Sequence, residues 1–474
     1  MQSPARTLLA DVLRSLPAEG TEDPGPAVLQ ALRAAPAKVV VLDDDPTGTQ
    51  TVHGIPVLTE GSADSLRSEL ENDLPAFYVL TNSRSLPLPE ARALNAEIGR
   101  NLKEAAARAG RRFAVVSRSD STLRGHFPGE VEALAEAVGG GFDAWLLIPF
   151  FQEGGRYTVG DTHYVADGPA LVPAGETEFA RDAVFGYRSS DLREWVAEKT
   201  GGRVPASAVA SVSIEDLRRG GPGRVAEKLA SLSGGRVCVV NAASRRDLEL
   251  FTAGLLVAEA RGKRFLYRTA ASFVPVRAGI PARPLLDPRE VAGPGGEGGL
   301  TVVGSYVPKT TAQLEGLLGR PGIAAVEIDV ARLLSEAGRS NAVARAAKGV
   351  DAALRRGEDA VVFTSRRLVT GADDASNLSI GRRVSDGLVD VVRAVEARPR
   401  YLLAKGGITS SDVATRGLGV RRAMILGQIL PGVPVWKLGP ETRHPGLSYI
   451  VFPGNVGGPG ALAEVTAALR GPRC

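Results

Sequence analysis

Cysteine, methionine and histidine are scarce in this 474-residue chain, at two, two and four copies. Cys238 and Cys474, one mid-strand and one terminal, supply neither a disulfide framework nor a cysteine zinc site, and they fit a reducing compartment. Four histidines without metal-ligand spacing exclude a histidine-rich metal centre. No apolar run approaches the roughly 18 residues of a membrane span, and the first residues interleave charge with apolar side chains. A membrane protein is thereby excluded, export is not expected, and a cytoplasmic location is. Long runs of one charge are missing too. The net charge is +4, and basic pairs such as Arg111-Arg112 and Arg421-Arg422 are scattered. That pattern argues against nucleic acid as a partner. Only nine of the 57 basic residues are lysine. The planar guanidinium suits small anionic ligands that carry carboxylate or phosphate.

What is present is an alternation of strands and helices. Lys38–Leu42, Phe77–Leu80, Phe113–Ser117, Trp145–Ile148, Val237–Asn241 and Phe265–Tyr267 are short continuous apolar runs, the mark of parallel strands buried on both faces. Helical spacing over 88–109 and 129–138 lies between them. Proline and glycine become dense over 282–299, ending in Gly293–Gly299, too free a backbone for a regular element. New strands follow at Leu300–Val303, Ala325–Asp329, Ala360–Thr364, Tyr401–Lys405 and Ser448–Phe452. The chain is therefore expected to be α/β with mainly parallel sheets. It divides into a helical N-terminal extension over 1–35, a domain over 36–285, a linker over 286–299 and a second domain over 300–474.

The sharpest motif is VLDDDPTGTQTVHG at 41–54. Asp43, Asp44 and Asp45 stand at the carboxyl end of a buried strand, where ligands bind in open parallel sheets. Three adjacent carboxylates repel one another unless cations or hydrogen-bond donors compensate. A solvated turn needs one such aspartate, not three. The Asp-x-Asp-x-Thr spacing also resembles the first motif of haloacid-dehalogenase-type phosphatases, with Asp43 as nucleophile and Asp45 as general acid. SRSDSTLRGHFPG at 117–129 supplies Arg118, Asp120, Ser121, Thr122 and Arg124 after another strand. A helix cap explains one of these residues and leaves two arginines over, a pair suited to a carboxylate and its neighbouring hydroxyls. Thr81-Asn82-Ser83-Arg84 brings Arg84 to a third strand end. A long aromatic loop over 149–168 adds Gln152, Arg156, Asp161, His163 and Tyr164 as a lid or binding wall. His163 reads equally well as a structural histidine.

The second domain carries different chemistry. Gly304-Ser305-Tyr306, Gly406-Gly407-Ile408-Thr409 and Gly454-Asn455 each follow a strand. Strand-to-turn junctions of small residues with open backbone N–H groups can cradle phosphates. Neither a Walker nor a Rossmann fingerprint is present. Three such turns at equivalent places point to a nucleotide. Thr364-Ser365-Arg366 and Gly371-Ala372-Asp373-Asp374 form a further wall of that site or plain loop.

These segments, together with GSYVPKTTAQL, KGGITSSDVATRGLGVRRAMILGQILPGVPVWKLGPE and VFPGNVGGPGAL, resemble the four-carbon acid sugar kinase family. The resemblance runs from about residue 38 to about 470. It implies an N-terminal acid-sugar-binding domain and a C-terminal nucleotide-binding domain, with ATP and Mg²⁺ as cofactors and a homodimer as the assembly. Asp44 with its loop, Arg84, Arg118, Asp120, Ser121 and Arg124 would face the sugar acid, with Gln152 and Asp161 added from the 149–168 loop. Ser305, Gly406, Gly407, Ile408, Thr409 and Gly454 would contact ATP. Two departures stand out. Tyr306 replaces a family cysteine, and Ile408 replaces a glutamate, which removes a carboxylate from the nucleotide loop. The implied reaction passes the γ-phosphoryl group to a hydroxyl, with Arg118 and Arg124 on the substrate carboxylate. One of Asp43, Asp44 and Asp45, Asp44 by preference, accepts the hydroxyl proton.

Overall fold

The computed structural model of the chain describes residues 7–292, 298–305, 307–366, 369, 374–454 and 456–470, with 374–379 as backbone alone. Most of the Gly293–Gly299 stretch, Tyr306, Gly371-Ala372-Asp373 and Asn455 lie outside the described residues. The chain forms two compact units. One comprises Met1–Thr51 with Glu60–Ala282, the other Val52–Thr59 with Arg283–Cys474.

The first unit is built on seven parallel strands. Their order across the sheet is Ala210–Val212, Arg236–Val240, Ala144–Ile148, Phe265–Thr269, Phe113–Arg118, Lys38–Asp43 and Ala76–Leu80. Every residue of Lys38–Asp43, Ala76–Leu80 and Phe265–Thr269 is buried. Helices cover both faces of such a sheet, so its strands read as unbroken apolar runs. Leu88–Ala109 is the longest of the helices and stops at Gly110, whose φ of 61° is the left-handed cap that glycine adopts without strain. Because all seven strands run the same way, the ends at Asp43, Leu80, Arg118 and Thr269 lie along one edge.

The 149–168 segment is not the long loop its polar composition suggests. Arg156–Val159, Thr162–Asp167 and Ala170–Pro173 form an antiparallel meander, with Thr7–Leu8 added to its edge. Gly160 and Asp161 connect the first two strands with φ values of 58° and 62°. Two consecutive positive φ angles match the right-handed strand twist in a two-residue hairpin. The N-terminal segment also holds two helices, Leu9–Ser15 and Gly25–Ala34.

The second unit has eight strands. Ser448–Phe452, Leu402–Lys405, Leu300–Val303, Asp359–Thr364 and Ile323–Ile328 are neighbours in that order and parallel. Val433–Leu438, Arg422–Leu430 and Ile55–Leu58 continue the sheet antiparallel. The last of these comes from the Val52–Thr59 excursion of the chain. Trp436, Tyr449, Tyr401 and Phe452 are fully buried in this core.

Candidate functional site

Four strand ends of the first unit deliver an interlocked set of charges. Arg118 donates Nη1 to Asp43 Oδ1 at 3.0 Å and lies 3.7 Å from Asp44 Oδ1. Arg84 Nη2 is 2.6 Å from Asp45 Oδ2 and 3.5 Å from Asp44 Oδ1, and its Nη1 is 3.5 Å from Asp120 Oδ1. Arg124 donates Nε to Asp120 Oδ2 at 2.7 Å and approaches Asp182 at 3.6 Å. Thr122 donates its hydroxyl to the same Asp120 oxygen. Ser119 donates Oγ to Asp44 Oδ2 at 2.6 Å. The three aspartates and the three arginines singled out in the sequence are thus brought together.

Arg268 and Glu130 were not singled out, yet they belong to the same cluster. Arg268, from the strand Phe265–Thr269, donates Nη1 to Glu130 Oε1 at 3.0 Å, and Ser83 donates Oγ to the other Glu130 oxygen at 2.8 Å. A Cβ added at Gly125 would stand 2.7 Å from Ser119 Oγ, 2.9 Å from Arg268 Nη2 and 3.1 Å from Asp44 Oδ2. The three groups therefore surround one glycine. An arginine inside an otherwise apolar strand was the available signal. Glu130 sits in the first turn of Gly129–Ala137, where an acid ordinarily answers the helix dipole.

Burial dominates the electrostatics. It pushes the Asp43 carboxyl up to about 7; Arg118 opposes this, and the Asp44 and Asp45 charges add to it. Burial also holds Glu130 above its ordinary value despite Arg268. For Asp45 burial acts upward, but Arg84 and the Thr47 hydrogen bonds outweigh it and hold the group low. Asp120 follows the same pattern, taken well below the carboxylate range by Arg124 and Arg84 against the pull of burial. Asp43 Oδ2 and Asp44 Oδ1 are buried without a hydrogen-bond partner. A Cβ at Gly48 would fall 2.0 Å from Asp43 Oδ2, so the loop backbone closes over that oxygen.

Other candidates lie apart from this cluster. Asp161 receives Asn241 Nδ2 at 2.7 Å and Ser211 Oγ at 2.5 Å, and pairs with Arg193 at 2.7 Å. It holds its hairpin turn to the sheet. Gln152 accepts the Arg245 N–H at 3.1 Å with its side chain and donates its own N–H to Ser272. The Ser121 carbonyl receives the His163 ring at 2.7 Å; burial pushes that buried imidazole down to about 4, which fits a neutral structural histidine.

In the second unit the glycine turns follow three neighbouring parallel strands. A Cβ at Gly304 would fall 2.3 Å from Thr409 Oγ1, and one at Gly406, whose φ is 112°, would fall 3.1 Å from Ser305 Cβ. Thr310 donates Oγ1 to Ser305 Oγ and to the Gly454 carbonyl, both at 3.3 Å. Ser305, Gly406, Thr409 and Gly454 therefore converge. Gly407 opens the short helix Gly407–Asp412, and Ile408 beside it is 59% exposed. Lys405, the last residue of an apolar strand, lies beneath these turns. It is fully buried, donates Nζ to the Pro453 carbonyl at 2.5 Å, and lies 4.1 Å from the centre of the Phe452 ring.

A carboxylate–guanidinium cluster on one α/β unit and a glycine-turn cradle on another make this a two-domain α/β protein with a different site on each unit. The sequence matches that pairing, with the sugar-binding N-terminal domain over residues 39–277 and the nucleotide-binding C-terminal domain over 300–462. The chain belongs to the four-carbon acid sugar kinase family. A D-threonate kinase of Salmonella typhimurium is 27% identical over 417 residues, which is 84% of this chain and 90% of the relative. A D-erythronate kinase of Heliobacterium modesticaldum is 25% identical over 377 residues, 76% and 80% of the two chains. Two solved structures share the fold. One from Salmonella typhimurium has a TM-score of 0.67 at 17% identity and covers 91% of this chain and 98% of its own. One from Haemophilus influenzae has a TM-score of 0.61 at 20% identity and covers 91% and 100%. Among the described residues, no helix is long and apolar enough to cross a membrane.

Proposed function

We propose that the protein is an ATP-dependent kinase that phosphorylates a hydroxyl of a four-carbon sugar acid such as threonate, erythronate or 3-oxo-tetronate. The observation that carries the reading is Asp44. Its Oδ2 is held by Ser119, while its buried Oδ1 has no hydrogen-bond partner and faces Arg84 and Arg118 at 3.5 and 3.7 Å. An acceptor oxygen of that kind suits a substrate hydroxyl that must be oriented and relieved of its proton. The flanking guanidiniums offset the charge that develops as the phosphoryl group moves. Asp45 is tied to Arg84, and Asp43 is closed off by Gly48, so Asp44 is the better base.

The glycine turns of the second unit suit the nucleotide. Backbone at Gly304 and Gly406 lies where a side chain would collide with Thr409 and Ser305, so these turns stay free of side-chain bulk beside a phosphate, while the Gly406 N–H itself is taken by the Phe452 carbonyl at 2.8 Å. The hydroxyls of Ser305, Thr310 and Thr409 are hard oxygen donors of the kind Mg²⁺ accepts beside phosphate. Bound there with the nucleotide, Mg²⁺ would supply charge neutralisation. The homodimer belongs to the same proposal, and light scattering of the full chain tests it.

The phosphatase reading has little support from the geometry. Its nucleophile would be Asp43, whose oxygens face Arg118 and Gly48 and whose carboxyl burial favours the protonated form. A coupled ADP-release screen across tetronates, 3-oxo-tetronates and five- and six-carbon acids tests the kinase. Phosphate release from a sugar phosphate without nucleotide, and no ADP from any acid, would reverse the choice.

A further inference from the structure

In the charge cluster Arg84, Arg118, Arg124 and Arg268 are each matched by a carboxylate. Arg118 has Asp43 and Asp44, Arg84 has Asp45, Arg124 has Asp120 and Arg268 has Glu130. A substrate that is itself an anion needs a cation that is not already neutralised. Arg156, the first residue of the hairpin strand Arg156–Val159, meets that need. Among the described residues no carboxylate lies within ion-pairing distance of it. Its Nη1 donates to the Gly154 carbonyl, and its Nε is buried without a partner.

The position fits as well as the charge. The Arg156 guanidinium lies 5.7 Å from the centre of the Phe179 ring, and that of Arg124 lies 5.1 Å from the same centre. Two cations thus share one aromatic ring, and Arg124 is joined through Asp120 to Arg84 and so to Asp44. Asp120 and, less strongly, Glu178 attract Arg156 while Arg124 repels it, neither carboxylate being close enough to form an ion pair with it. The ring beside the planar guanidinium restrains its plane, and with Nη1 on Gly154 the donors left for a ligand are Nη2 and the unpartnered Nε.

We propose that Arg156 recognises the carboxylate of the sugar acid and thereby selects acids over neutral polyols. The inference rests on the kinase reading given above. It also moves the carboxylate clamp from Arg118, which is held between Asp43 and Asp44, to the hairpin that the sequence presents as a loop.

The test compares the full-length wild type with Arg156→Gln and Arg156→Lys. Steady-state kinetics use D-threonate and D-erythronate, and thermal shifts use the same acids beside the neutral polyols threitol and erythritol. A lost charged hydrogen bond predicts an acid KM raised about 10- to 100-fold in Arg156→Gln, with kcat and the KM for ATP little changed. The acid-induced thermal shift should vanish in the same variant. Lysine keeps the charge and loses the fork, so Arg156→Lys should fall between the two. It carries the test alone if the glutamine variant does not fold. A residue that merely props the Gly154 turn would lower stability equally with acid or polyol present, and would leave the acid KM alone. An acid KM within threefold of wild type in both variants overturns the role of Arg156 and leaves the kinase reading standing. A wild type that is neither stabilised nor turned over by any acid overturns both.

Discussion

Ser119 donates its hydroxyl to Asp44 Oδ2 at 2.6 Å, across 75 residues of chain. The bond joins the ends of two adjacent parallel strands and leaves the other Asp44 oxygen pointing toward Arg84 and Arg118. If Asp44 takes the proton of the acceptor hydroxyl, Asp44→Asn keeps the shape and removes the base. Turnover should fall about 10²- to 10⁴-fold, the usual worth of general-base help. Stabilisation of the protein by ATP should be unchanged. Ser119→Ala should cost less, because the base survives and loses only its orientation. ADP release and nucleotide thermal shifts on the two variants read the split, and undiminished turnover in Asp44→Asn removes Asp44 from the role.

A second prediction concerns pH. Burial raises Asp43 from its ordinary 3.8 to about 7 in the fold. The folded state therefore holds this proton more tightly than the unfolded chain does. The resulting contribution to stability is complete below pH 3.8 and is lost as the pH rises through 7. Asparagine imitates the protonated form at every pH. Melting temperatures of wild type and Asp43→Asn should therefore diverge in favour of the variant between pH 5 and 8.5. Parallel curves would show that Asp43 stays ionised throughout.

Much of this architecture is written in local sequence. KVVVL, FYVL and FLY read as strands because helices cover both faces of the parallel sheet, so burial is continuous along each run. The three aspartates and Arg84, Arg118 and Arg124 were legible because strand ends on one parallel edge must converge. Other parts were not legible, for physical reasons. Arg422–Leu430 alternates between buried and half-buried residues, the weaker signal of an antiparallel strand. The hairpin at 156–167 has half-buried faces, and its Gly160-Asp161 turn looks like a polar binding loop until both φ angles are known. Which sheet Ile55–Leu58 joins depends on Arg422–Leu430, far along the chain, and four residues with one proline carry no trace of that choice. Arg268 shows in the sequence only as a charge after an apolar run, which carries no trace of its partner Glu130.

Gly125 gives a structural test of the cluster. Its φ of 124° is a backbone conformation that residues with a Cβ rarely adopt. A methyl there would also press on Ser119 Oγ, Arg268 Nη2 and Asp44 Oδ2. Gly125→Ala should cost about 1–3 kcal/mol from backbone strain. It should also reduce turnover by more than that loss of stability explains, because it displaces the Ser119–Asp44 bond. Kinetics at a temperature where the variant is fully folded separate the two effects. A variant that is less stable but fully active would place Gly125 outside the working part of the cluster.

The last prediction belongs to the nucleotide-binding unit. Lys405 is enclosed beneath the glycine turns, with its Nζ on the Pro453 carbonyl and 3.4 Å from that of Gly454. Burial, helped by the nearby Lys309 charge, lowers its ammonium from 10.5 to about 7. A group depressed in the fold contributes stability that is complete above its unfolded value and is lost as the pH falls through the folded one. Stability should therefore rise between pH 7 and 10 in the wild type and rise less in Lys405→Met, which fills the same space without a charge. Methionine cannot hold the two carbonyls, so the turn that ends at Gly454 loses its anchor. If that turn carries the nucleotide, the KM for ATP should increase in Lys405→Met while the KM for the sugar acid stays put. A rise in both would mean that the substitution unsettles the whole unit. An unchanged KM for ATP would separate Lys405, and the Gly454 turn it supports, from nucleotide binding.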